Sequence, residues 1–348
     1  MRTQATVLVL CLTAAAAVAC TADPPHPAAP STSDAAPVQV NDAIPQELRA
    51  KAIAYAGFRA IDACGMHDPK AAEKITGDKG DQIAPAARGL NQCSLDLNKS
   101  EFESTWSFQI DVGDDFGADR RREAAPEDIA GMRVFRRESD RNCELVRPLD
   151  DEYGIRLTVS PRTARDQPPP KPACDVAREY VKDTAELWKT PPQRGAGRTS
   201  PDLPLGRVDP CDALSAALAD LGGEPVMRPR GPYECQAKAK NGVVQKGQPP
   251  NEISVTLGAD TDPTVLLTLA GSSSKEYKGA DIAGSKAVLM QSKTGCRTEV
   301  IYKPEISLIA DARAEDATPT YQVVEVRTAS CDIAPAITEK IMNKIGGR

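Results

Sequence analysis

Histidine is nearly missing from this 348-residue chain, with only His26 and His67 present. Two histidines so placed build no convincing Ser-His-Asp constellation, and zinc would have to take cysteines that disulfides claim. No CxxC pair, Walker A loop or Rossmann glycine pattern occurs, so dithiol redox chemistry, nucleotide hydrolysis and dinucleotide-dependent oxidoreduction lack their usual residues. Aromatic residues make up 4% of the chain, which argues mildly against a large apolar cavity. Basic residues do not dominate either. The formal net charge is −6, so nucleic acid is not an expected partner, and no polybasic face holds the chain on anionic lipid. The expectation is an enzyme-free inventory with no catalytic residue, no metal site and no cofactor.

Long apolar runs are also absent. The longest, Val7 to Ala19 after Met1 and Arg2, falls short of the roughly 20 residues that a spanning helix needs and suits a signal peptide. It ends Ala17-Val18-Ala19-Cys20, which fits ordinary signal peptidase or, with a small residue before cysteine, a bacterial lipobox. Parity favours the lipobox. Ten cysteines less Cys11 leave an odd number, and acylation of Cys20, for instance with palmitate, restores eight. Residues 1–19 are therefore predicted to be a signal peptide, and 20–45 a lipidated cysteine with a Pro-, Ala- and Ser-rich tether. The expected location is the extracytoplasmic face of the cell membrane, with the lipid anchor as the membrane contact.

What the chain does have is a duplication. Asp128-Ile129-Ala130-Gly131 with Cys143 twelve residues on recurs as Asp281-Ile282-Ala283-Gly284 with Cys296 at the same distance. Asp62-Ala63-Cys64 answers Asp209-Pro210-Cys211, and Cys174-Asp175-Val176-Ala177 answers Cys331-Asp332-Ile333-Ala334. Each copy holds four cysteines: Cys64, Cys93, Cys143 and Cys174, then Cys211, Cys235, Cys296 and Cys331. Repeats of this span are domain-sized. The first is placed at 46–190 and the second at 207–348, joined by a Pro-, Gly- and Arg-rich linker at 191–206.

Apolar spacing predicts helices over Gln46–Cys64, Asp68–Ile75 and Asp175–Trp188, then Asp209–Leu221 and Cys331–Ile345. Alternation predicts strands at Ser104–Val112, Met132–Arg137, Cys143–Val146 and Ile155–Val159. In the second repeat strands are expected at Tyr233–Ala239, Ile253–Leu257, Val265–Leu269, Ala287–Gln291, Arg297–Tyr302 and Tyr321–Val326, with Ile306–Ala310 undecided. Strands in succession without intervening helices imply antiparallel pairing. The fold class is therefore α+β, as two similar domains, each an antiparallel sheet with N- and C-terminal helices packed on it.

An oxidising envelope permits disulfides, and the duplication leaves three pairings per repeat. The favoured set is Cys64–Cys93, Cys143–Cys174, Cys211–Cys235 and Cys296–Cys331, each worth roughly 3 to 4 kcal/mol by loop closure. Nested pairing stays open on entropy alone. Weaker features have plainer readings. Trp106 on an alternating strand is core. The acids Asp111, Asp114, Asp115 and Asp119 lack the spacing of a calcium loop. Arg120-Arg121-Arg122, with Arg133, Arg136 and Arg137, lies among acids and reads as a solvated face. Ser272 and Lys275 satisfy S-x-x-K, and Lys293-Thr294-Gly295 satisfies K-T-G. The two stand too close together for the serine enzymes that use them.

The order D-P-C-D-A-L, a strand-opening cysteine, D-I-A-G-x11-C and C-D-I-A resembles a group of actinobacterial exported lipoproteins known as a domain of unknown function. The resemblance covers Asp209–Ile345 and, with Ala63 in place of proline, Asp62–Trp188. It implies secretion and disulfides and transfers no catalytic residue. The functional expectation is a non-catalytic, lipid-anchored envelope protein that binds a small ligand or an envelope partner. The alternatives are a carrier of apolar cargo and an envelope hydrolase using Ser272 and Lys275.

Overall fold

A computed structural model of the chain describes residues 39–85, 89–100, 103–139, 141–162, 168–196, 203–219, 225–239, 252–269, 276–293, 295–304, 308 and 320–347. The expected signal peptide, Cys20, Ser272, Lys275, Thr294 and most of Ile306–Ala310 lie outside them. The first half runs α1 (Arg49–Ala60), α2 (Pro69–Thr76), β1 (Lys79–Pro85), β2 (Gln92–Ser100), β3 (Glu103–Asp115), α3 (Ala118–Arg122), β4 (Ala125–Ile129), β5 (Met132–Glu138), β6 (Cys143–Pro148), β7 (Tyr153–Pro161), α4 (Ala173–Asp183) and α5 (Ala185–Lys189). The second runs α6 (Pro210–Ala219), β8 (Pro225–Gly231), β9 (Glu234–Ala239), β10 (Glu252–Thr261), β11 (Glu276–Ile282), β12 (Ser285–Ser292), β13 (Gly295–Tyr302), β14 (Thr320–Thr328) and α7 (Ala334–Ile345).

The fold is α+β with two antiparallel seven-stranded sheets, ordered β1-β2-β3-β7-β6-β5-β4 and β8-β9-β10-β14-β13-β12-β11. Numbered within its own half, the second order is identical to the first. The repetition extends to the D-I-A-G turns. Ala130 and Gly131 have φ of 52° and 75°, and Ala283 and Gly284 have 51° and 76°. Two successive left-handed residues make the type I′ turn that matches strand twist in a two-residue hairpin. It joins β4 to β5 and β11 to β12, and Asp128 Oδ1 accepts the Gly131 N–H at 3.1 Å.

Helices cover one face of each sheet. Trp106, Phe108, Ile110 and Val112 of β3 are buried together with Leu157 and Val159 of β7, Ala72 and Ile75 of α2, and Val176 and Tyr180 of α4. Asp68 caps α2, its carboxylate accepting from Lys70 N and Ala71 N, with Pro69 at the first helical position. In the second half Leu214 and Leu218 of α6 and Ile337 and Ile341 of α7 face Val324, Val326 and Val300. Among the described residues no helix is long and apolar enough to cross a membrane.

Several elements differ from the sequence expectation. Val265–Leu269, read as a strand, lies in a 3₁₀ helix, Pro263–Leu269. Asp262 Oδ1 accepts from Thr264 N at 2.8 Å and from Thr264 Oγ1, and Pro263 presets the helical φ. The strands β1, β2, β4, β8 and β11 were not expected. The end of the presumed tether is ordered: Ile44 is buried in the second half's core, and Met227 N donates to Ala43 O at 2.9 Å. Helix α1 then crosses to the other half, with Ala52 in the second core and Tyr55 and Phe58 in the first. Arg59 pairs with Asp209 and donates to Pro232 O at 2.9 Å, while Arg194 Nε donates to Arg59 O at 2.9 Å. Both sheets belong to one compact unit, Val38–Arg348.

Candidate functional site

The cysteines hold the frame. Cys64–Cys93, Cys143–Cys174, Cys211–Cys235 and Cys296–Cys331 are joined, with Cα atoms 4.9 to 5.1 Å apart. The first bridge ties the turn before α2 to β2, and the second ties β6 to α4. In the second half the third bridge ties α6 to β9, and the fourth ties β13 to the turn before α7. This is the pairing favoured by sequence over the nested one.

The acidic and basic clusters noted in the sequence find partners within the chain. Asp111 and Asp114 face Arg156, and Asp114 also faces Arg120 at 3.4 Å. Burial pushes both carboxyls above their ordinary range despite the pull of Arg156. Arg122 pairs with Asp119, Arg137 with Glu144 at 3.4 Å, and Arg133 lies over the Phe135 ring. Among the described residues no group of three or more His, Cys, Asp or Glu side chains is arranged to hold a metal ion. His67 is enclosed in the core beside the first disulfide. Its Nδ1 lies 3.2 Å from Tyr180 Oη and its Nε2 lies 3.0 Å from Cys93 O. Burial lowers its pKa to about 4.

The place where the halves part company is the cleft between the edge hairpin and the last helix. In the first half it is closed by charge. Glu127 of β4 accepts from Arg136 of β5 and from Arg178 of α4, the latter through Nε at 2.9 Å and Nη2 at 3.0 Å. Hydrogen bonding from Arg178, then from Arg136, holds Glu127 below the usual carboxylate range. Arg178 also donates to Asp175.

Aligned on the D-I-A-G turns and the last cysteines, these three positions become Ala280, Leu289 and Pro335. The clasp is gone. In its place is a cavity of about 360 Å³ lined by Glu276, Lys278, Ala280, Leu289, Gln291, Asp332 and Pro335, with Cys331 at its wall. Proline is tolerated only in the first turn of a helix. Accordingly α7 begins at Ala334, whereas α4 begins at Ala173, four residues earlier in the aligned frame. The shorter helix and the apolar triplet open the cleft together. A second cavity of about 320 Å³ lies at the other end of α7, beside Gly284, Tyr302, Lys303 and Met342.

Comparison with known proteins adds no candidate. No family model matches the chain, and neither a curated protein nor a solved structure matches it.

Chemically the second-half cleft offers an apolar floor with a mixed polar rim. Leu289 is almost fully buried, while Glu276, Lys278, Gln291 and Asp332 are exposed. That suits reversible binding. None of its residues was singled out from the sequence except Cys331. The signal was nevertheless there, as a loss of charge at aligned positions of two repeats.

Proposed function

We propose that the protein is a non-catalytic, lipid-anchored component of the cell envelope, built of two duplicate domains, and that the second domain binds a ligand or partner in its open cleft. The carrying observation is the contrast between Glu127–Arg136–Arg178 and Ala280–Leu289–Pro335. One copy keeps the scaffold closed, and the other has exchanged an ion cluster for an accessible apolar floor. A buried or half-buried charge cluster removed without replacement by packing leaves a void, so the exchange makes most sense where something else fills the space. The volume is within the range of small-molecule sites.

A fragment screen by NMR on the whole chain tests this. Weak hits are expected to perturb Ala280, Leu289 and residues at the start of α7, and Leu289→Arg with Ala280→Glu is expected to abolish them. Hits confined to other surfaces, or hits indifferent to that double variant, would sink the assignment.

A further inference from the structure

The cleft opens beside a sheet edge, and the four edges are not equivalent. Among the described residues, β1, β4, β8 and β11 are the outermost strands. Edge strands present unpaired N–H and C=O groups, and proline is a common way to blunt them. β1 carries Pro85, β4 carries Pro126, and β8 carries Pro225 and Pro229; β11 carries none.

The hairpin geometry says which groups of β11 face outward. In a two-residue hairpin the pair flanking the turn, here Ile282 and Ser285, exchanges the first hydrogen bonds. Alternation then turns Ile282, Ala280, Lys278 and Glu276 toward β12 for backbone bonding. Tyr277, Gly279 and Asp281 are left with N–H and C=O pointing away from the sheet. In the first half the residue aligned with Gly279 is Pro126, which removes an outward donor at no cost to the β4–β5 ladder. So one half has both a blocked edge and a clasped cleft, and the other has both an open edge and an open cleft.

Side chains specify the occupant further. Glu276 and Lys278 are exposed and share the cleft side of β11. Opposite charges on facing residues of adjacent strands attract. An antiparallel segment reading apolar–x–acidic–x–basic would set its basic residue against Glu276, its acidic residue against Lys278 and its apolar residue over Ala280 and Leu289.

We infer that β11 takes up an extended peptide segment of a partner protein as an additional strand, with an apolar side chain of that segment seated in the cleft. The inference rests on the cleft being a binding site and adds the class of its occupant. Main-chain bonds supply affinity and the cleft supplies selectivity.

The test uses the whole chain and a synthetic peptide of about ten residues, a usual upper length for a strand, with Leu, Glu and Lys at the alternate positions given above. Binding is followed by calorimetry, and amide exchange is followed at Tyr277, Gly279 and Asp281. The peptide is expected to bind and to slow those three amides, and Gly279→Pro is expected to weaken binding about tenfold or more. Leu267 Cδ1 sits 3.3 Å from where the new Cβ would lie, so Tyr277→Pro serves as a second blocked edge, and the exchange measurement needs no variant at all. Binding undiminished by either proline, with the three amides unprotected, overturns strand addition while leaving the cleft intact as a site if Leu289→Arg still removes it. Concentration-dependent protection of β11 without peptide overturns the proposal in favour of a second copy of the chain. Absence of peptide binding overturns it whatever small fragments do at the cleft.

Discussion

Acidification should unfold this protein partly through one side chain. His67 is held neutral in the core: Tyr180 Oη lies beside Nδ1, Nε2 faces the Cys93 carbonyl, and Tyr180 Oη in turn accepts from Asp68 N at 2.9 Å. Burial lowers its pKa from 6.5 to about 4. The unfolded chain therefore binds a proton through this window and the folded chain does not. Stability is fully present above pH 6.5 and is lost as pH falls toward about 4. At about 1.4 kcal/mol per pH unit, the loss approaches roughly 3 kcal/mol, a large share of the margin of an ordinary domain. Carboxylates titrate over the lower part of the same range, so the measurement is a difference. Urea midpoints of the native protein and of His67→Gln are compared from pH 7 downward. The native protein should lose its advantage over the variant as pH falls, and NMR should place the His67 titration below pH 5. Parallel stability curves, or an imidazole titrating near 6.5, would falsify the account of this site.

Four further outcomes follow from the packing. Ala283→Asn should stabilise by about 0.5 to 1 kcal/mol in thermal denaturation, since asparagine accepts a left-handed φ more readily than alanine and Asn-Gly is favoured in type I′ turns; a loss would mean the turn is not of that type. Ile44→Ala should cost about 2 to 4 kcal/mol although the residue lies at the end of a presumed tether, and by the same reasoning a fragment Gly206–Arg348, which loses Ile44, Ala52 and Leu90 from its core, should be clearly less stable than the same region in the whole chain. Glu127→Ala should lower stability by only about 1 kcal/mol, because its ion pairs are partly exposed and Arg136 and Arg178 keep Glu138 and Asp175 as partners, yet it should admit small apolar probes to the first-half cleft that the ion cluster fills.

The duplication, the four bridges and the long amphipathic helices were legible because each depends on local pattern. Cysteine order survives any loop length, and Ile337 and Ile341 mark one face of α7 by spacing alone. The edge strands were not legible for the opposite reason. β4 reads Ala-Pro-Glu-Asp-Ile and β11 reads Glu-Tyr-Lys-Gly-Ala-Asp-Ile. An edge has little burial to impose alternation, so its register comes from the turn and from β5 or β12. The cleft was hidden because Ala280, Leu289 and Pro335 come from three elements, and their common face exists only once the hairpin and α7 meet. Ile44 fell in the expected tether and Leu90 in none of the expected elements, since a single apolar residue carries no period. Their role depends on a core supplied by residues more than a hundred positions away.

The route of the N-terminal segment also decides how the molecule carries mechanical load. Asn41 Nδ2 donates to Asp212 Oδ1 at 2.9 Å, Ala43 O accepts from Met227 N of β8, and Ile44 is a plug in the second half. Only beyond that does the chain reach the core of the first half, through Tyr55 and Phe58. A pull applied ahead of Gln39 is therefore taken up first by the C-terminal half, through an edge strand and one apolar side chain, and the N-terminal half is shielded until those yield. Sequence order and the order of mechanical failure run in opposite directions.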